Sequence, residues 1–159
     1  MMQSLNEIAI FNGLDKETRL LVERHFEPFS CPSGTVIFEQ GDLATFLYLI
    51  LEGNVTARYK PYDGPVIDLT TIPTGGAFGW SAVIGGPHYT SAAVAREDLR
   101  AIRIRGTDLR DLVAKHPRAG KELLDRLAQL VSNRWKDANR QVRAILEQAI
   151  PGYGKDEQI

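Results

Sequence analysis

The chain is short of several things, and each shortage closes a line of explanation. It has one cysteine, Cys31, in 159 residues. No internal disulfide is possible, no site of several thiolates can form, and a reducing, cytoplasmic compartment is expected. Its three histidines, His25, His88 and His116, are scattered, and no pair shares one strand. A metal centre built on strand histidines is therefore not expected. Net charge is -1, so bulk charge points to neither nucleic acid nor an anionic membrane. The longest apolar run, Phe46 to Leu51, is far too short to span a bilayer. The start, MMQSLNEIAIFNG, lacks a basic segment followed by a long apolar one, so no signal peptide is read there. There is no Gly-x-Ser-x-Gly elbow, no glycine-rich phosphate loop with lysine and no paired-histidine motif. No catalytic residues are assigned, and an enzyme is not expected.

What is present is an ordinary globular composition, 43% hydrophobic and 25% charged, long enough for one domain with a real core. The reading divides it into a helical lead (1–26), a strand-rich body (27–105), C-terminal helices (106–150) and a polar tail (151–159). Asp15 is placed to cap a helix through Arg24, with Phe11, Leu14, Leu21 and Phe26 as buried anchors. Short strands are expected at Val36–Phe38, Thr45–Leu51, Val55–Tyr59, Val66–Thr70, Ser91–Ala95 and Leu99–Ile104. Pro32-Ser33-Gly34, Gly41-Asp42 and Arg96-Glu97-Asp98 read as turns, and Glu52-Gly53-Asn54 as a turn closing a hairpin. Many short antiparallel strands at near-regular spacing give a jelly roll or barrel. Thr107 is read as the cap of a helix over Asp108–Lys115, and Pro117 as the start of a longer one. From Leu124 to Ala149 apolar residues recur at steps of three or four, which suits packing on the barrel, a two-fold helix seam, or both. A homodimer through this helix is expected. Arg134, Lys136, Arg140 and Arg143 read as a solvated face.

Several motifs together resemble the cyclic-nucleotide-binding domain of the catabolite activator protein, protein kinase A regulatory subunits and gated channels. They are Phe11-Asn12-Gly13-Leu14, then Gly34 through Asp42, then Leu47 through Val55, and Gly76-Ala77-Phe78-Gly79. The resemblance implies a mainly β fold with flanking helices: a double-stranded β-helix, or jelly roll, followed by a long C-terminal helix that moves or dimerises. It also implies a cyclic nucleotide or another small anionic ligand, a cassette helix after Phe78-Gly79, and ligand contacts from Phe78, Gly79, Trp80, Ser81, Ala82, His88, Thr90 and Ser91.

The pattern departs from the family in two places. Nucleotide-binding members carry a glutamate after Phe-Gly that holds the ribose hydroxyl; here Trp80 stands there. Members carry an arginine further on that pairs with the cyclic phosphate; here Thr90 takes that position, after a slightly longer tip, Gly86-Pro87-His88-Tyr89. If the tip folds differently, His88 lies near the phosphate position instead. A neutral hydroxyl or a partly charged imidazole does not replace the fixed charge and fork of an arginine. Trp80 is either a stacking platform or a plug. His88 is either an anion contact or an exposed tip residue, and Cys31 a small buried group. A stand-alone regulatory domain with a modified pocket is one reading; a ligand-free interaction module is the other. Transcription factors of the family carry a DNA-reading helix-turn-helix after the long helix, and 151–159 contains none, so DNA binding by this chain is not expected.

Overall fold

The computed structural model describes residues 11–84, 86–127 and 130. The elements are α1 (Lys16–Glu23), β1 (Phe26–Cys31), β2 (Val36–Phe38), β3 (Phe46–Glu52), β4 (Val55–Tyr59), β5 (Ile67–Ile72), β6 (Ala77–Phe78), α2 (Ser81–Ile84), β7 (Ala92–Ala95), β8 (Leu99–Arg105) and α3 (Gly106–Lys115). A further helix occupies 117–127. The strands form two four-stranded antiparallel sheets, in the orders β1-β8-β3-β6 and β2-β7-β4-β5. This is the expected jelly roll with flanking helices.

Local chemistry explains most of the boundaries. Asp15 caps α1 by accepting from the Thr18 N–H at 2.7 Å. Pro28 cannot donate to a ladder, and β1 lies at a sheet edge where that lack is tolerated. β3 is apolar from Phe46 to Leu51 because both of its faces are covered there. Leu47 and Leu49 join a cluster with helical residues such as Val22, Leu112 and Leu123. Tyr48 and Ile50 face a second cluster between the sheets, with Phe38, Phe78, Tyr89 and Leu99. Of the helical stripe, Leu127 is fully buried against the first cluster and Leu124 is half-buried there, beside the fully buried Leu123. Residues from Val131 onward, including the proposed dimer seam and the basic face, lie outside the described residues.

Two expectations are corrected. Glu52-Gly53-Asn54 does not close a hairpin, because β3 and β4 pair in different sheets. The turn carries the chain across the sandwich, and Gly53, at φ +102°, lies so close to Asp98 that a Cβ would fall 2.7 Å from its carbonyl oxygen. The turn Arg96-Glu97-Asp98 makes the reverse crossing alongside it, and Asn54 donates to Glu97 at 2.6 Å. The Ser33 N–H, in a third crossing turn, donates to Asp98 at 2.9 Å. These three of the turns between the sheets are thus tied together at one end. The second correction concerns Thr107, which lies inside α3 rather than capping it. The helix begins at Gly106, and its cap position, Arg105, makes no side-chain cap bond. Contact with α2, described below, fixes that start.

Candidate ligand-binding site

The site grows from the end of β6. Gly79 takes φ +88°, and a Cβ there would lie 2.6 Å from the Phe46 carbonyl oxygen. Only glycine turns the chain this sharply while β6 stays against β3. The turn delivers Trp80 and the short helix α2, whose Ala82 N–H bonds back to Gly79 at 3.2 Å.

α2 is clamped to the helical layer. Ala82 is 2% exposed. Gly106 approaches it so closely that a Cβ would meet the Ala82 carbonyl oxygen at 1.9 Å. Arg110 Nη1 donates to that same oxygen at 3.0 Å. Trp80 and Val83 pack, half-buried, on the helix-side cluster. The Trp80 ring is therefore not among the rings between the sheets.

The tip after α2 is sewn to the loop before β3. Pro87 accepts from the Ala44 N–H at 3.0 Å, Asp42 accepts from the Tyr89 N–H at 2.8 Å, and Tyr89 accepts from the Gly41 N–H at 2.9 Å. His88 bridges to Leu43 through its backbone. This pairing sets which side chains point in. His88 and Thr90 are exposed, Ser81 and Ser91 are half-buried, and Tyr89 is buried.

Tyr89 is the residue that sequence reading passed over. Its ring stacks on Phe38 with centroids 3.6 Å apart and planes 9° from parallel. Its hydroxyl accepts from the Phe46 N–H at 2.9 Å and donates to the Phe46 carbonyl at 2.6 Å. Beside it, Tyr48 and Phe78 stack at 4.7 Å. Phe78 is thus part of the ring cluster, while Thr90, next to Tyr89 along the chain, faces solvent. The signal available in the sequence was the set of aromatics at Phe38, Tyr48, Phe78 and Tyr89; which side of the tip they occupy was not readable. Arg103, on β8, lies over the Phe46 ring at 3.9 Å and is paired with Glu27 at 2.8 Å.

Burial pushes the Tyr89 phenol up to about 12. A raised phenol means the folded state holds its proton more tightly than the unfolded chain does. Its contribution to stability is complete below the unfolded value near 10 and falls as pH rises from there through about 12. Wild type is expected to lose stability over that window, by at most roughly 3 kcal/mol from this group. Urea titrations of wild type and Tyr89→Phe at pH 9 and pH 11.5 check this; equal pH dependence in the two proteins contradicts it. Cys31 is half-buried, and burial raises its thiol, the setting of an inert rather than a reactive group.

A separate open groove of about 700 Å³ lies outside the ring cluster, over sheet β2-β7-β4-β5. Val36, Ala92 and Val94 line it, and the arm after β4 flanks it. Gln40 holds that arm by donating to the Lys60 carbonyl at 3.0 Å and accepting from its N–H at 2.7 Å. None of the residues expected to bind ligand lines this groove. Among the described residues, no cluster of three or more potential metal ligands occurs, and no helix is long and apolar enough to cross a membrane.

A family model described as the cyclic nucleotide-binding domain matches residues 28–116, more than half of the chain. The chain is 24% identical over 152 residues to a CRP-like cAMP-activated global transcriptional regulator of Mycobacterium tuberculosis, covering 96% of this chain and 66% of that protein. It therefore spans just under two thirds of that relative's length. A crystal structure of a putative cyclic nucleotide-binding protein from Geobacter metallireducens matches with a TM-score of 0.71 and 30% identity, over 84% of this chain and 96% of that one. The regulatory subunit of a cAMP-independent protein kinase A from Trypanosoma brucei, as a triple variant bound to cAMP in its A site, matches with a TM-score of 0.69 and 18% identity. That match covers 89% of this chain and 50% of that one, and one of the variant's three changes replaces a threonine with an arginine.

Proposed function

The chain belongs to the cyclic nucleotide-binding domain family, and on that premise we propose that it is a regulatory domain that does not grip cAMP in the usual way. The observation that carries this reading is the cassette tip, where a neutral, exposed Thr90 stands in place of the family's arginine. Trp80, at the glutamate position, packs toward the helices. Trp80 offers no acceptor for a ribose hydroxyl, and Thr90 offers no cation for a phosphate. The Trypanosoma brucei variant supports the reading, since its cAMP-bound form carries an arginine introduced for a threonine.

A change at the cassette has a short route to the C-terminal helices. Ala82 touches Gly106 and Arg110 of α3. Within the helical layer, Gly120 lies so close to Val113 that a Cβ would fall 2.6 Å from its Cα. Contacts this tight move together or break, so the helical layer is the output of the site, and a homodimer through the C-terminal helix in the cytoplasm is its setting. A ligand acts on such a route only through different affinity for two arrangements.

The second reading, a ligand-free interaction module, draws on the ring-filled space between the sheets. Hydrogen exchange of residues 106–127, with and without a panel of cyclic nucleotides and nucleosides, separates the two. Regulation predicts that one compound changes exchange there while cAMP does not. No change with any compound favours the module.

A further inference from the structure

We propose that Tyr89 is the specificity-determining residue of this site: its ring is the chain's own occupant of a stacking slot. With the phenol gone, that slot takes a neutral planar ring with a hydrogen-bond donor and acceptor at one edge. This rests on the reading above that the usual grip on cAMP has been lost, and it names what fills the space instead.

The slot has defined walls. Phe38 forms one face, parallel to Tyr89 at 3.6 Å. Gly79 closes the other approach, since a Cβ there would lie 3.5 Å from Tyr89 Cε1. Phe46 supplies the floor with one backbone donor and one backbone acceptor, and the single Tyr89 hydroxyl satisfies both. A group that replaces the phenol is favoured if it does the same, because these part-buried backbone groups lose stability when left unpaired. The adjacent donor and acceptor on the edge of a nucleobase meet that requirement, and so does a free phenol. A cyclic phosphate does not, because it brings charge into the slot and no donor. Arg103 touches the rim rings, but its guanidinium is engaged by Glu27. The slot is therefore matched to a neutral ring rather than to an anion.

Tyr89 is also held in place from behind. Its N–H and carbonyl pair with Asp42 and Gly41, so the ring cannot swing out unless the tip leaves that loop. Occupancy by Tyr89 and occupancy by an external ring are mutually exclusive.

Tyr89→Ala tests this, with phenol, the group removed, as first probe and adenosine as second. The variant is expected to melt below wild type, and saturating phenol is expected to raise its melting temperature by about 3 °C or more while leaving wild type unmoved. A folded variant that ignores both probes overturns the proposal, as does a wild type that responds equally. If Tyr89→Ala does not fold, Tyr89→Phe keeps the ring and removes the hydroxyl. Its Phe46 amide is then expected to exchange at least about tenfold faster than in wild type, with the Tyr48 amide unchanged. Equal protection of Phe46 in the two proteins overturns it. Failure of the cAMP reading would appear separately, as tight cAMP binding by wild type.

Discussion

Gly106→Ala is expected to lower the melting temperature by about 10 °C, more than any other single-methyl change described here. The added Cβ would sit 1.9 Å from the Ala82 carbonyl oxygen and 2.8 Å from its carbonyl carbon. Both are backbone atoms, so no side-chain rotation relieves the clash. The Gly106 N–H also donates to Thr45 at 3.0 Å, which fixes α3 from the strand side. Either α2 leaves α3 or α3 shifts off β8, and each removes buried contacts around Ala82 and Leu109. Overpacking of this kind costs about 1–3 kcal/mol or more, and parting α2 from α3 also weakens the Arg110 bond to Ala82. Thermal melts followed by circular dichroism read the effect. A loss under about 2 °C would mean that the seam yields easily and is not a tight coupling between cassette and helix.

The second large effect is a gain. Trp80→Glu combined with Thr90→Arg is expected to bind cAMP roughly a hundredfold more tightly than wild type. Each substitution restores a charge-assisted contact of about 1.5–3 kcal/mol, and part of that is offset by ordering two long side chains. Removing Trp80 also withdraws a half-buried ring from the helix-side cluster, so the double variant is expected to be less stable than wild type while binding better. Adding Tyr89→Ala should tighten binding further, since the base then gains the stacking face of Phe38. Calorimetric titration of the double variant checks this. Affinity no better than wild type would show that the missing charges are not what sets cAMP aside.

Much of the scaffold could be read along the chain, because local rules act locally. The Asp15 cap, the Pro117 helix start and the strand at Val36–Phe38 all stand where composition and turn chemistry placed them. The misread features depend on partners far away in sequence. Glu52-Gly53-Asn54 looks like a hairpin turn, and nothing nearby says that its two strands belong to opposite sheets; the contact with Asp98 does. Thr107 is a good capping residue in isolation, but the approach of Gly106 to Ala82 starts the helix earlier. At the site, the short helix after Phe78-Gly79 was legible through the resemblance, whereas the strand that ends at Phe78 was not. Nor was it legible which of Tyr89 and Thr90 faces inward. That parity is set when the tip pairs with Gly41 through Ala44, some forty-five residues earlier. For the same reason the Trp80 alternatives looked inward, whereas the turn at Gly79 sends the ring toward the helices.

On the proposed reading, the exposed, neutral Thr90 hydroxyl stands at the cassette tip where cAMP binders of the family carry an arginine. Isothermal titration of cAMP into the wild-type protein at physiological salt tests that reading most directly. No saturable heat is predicted up to about 1 mM ligand, an affinity weaker than roughly -4 kcal/mol. Saturable one-to-one binding in the micromolar range or tighter would contradict it.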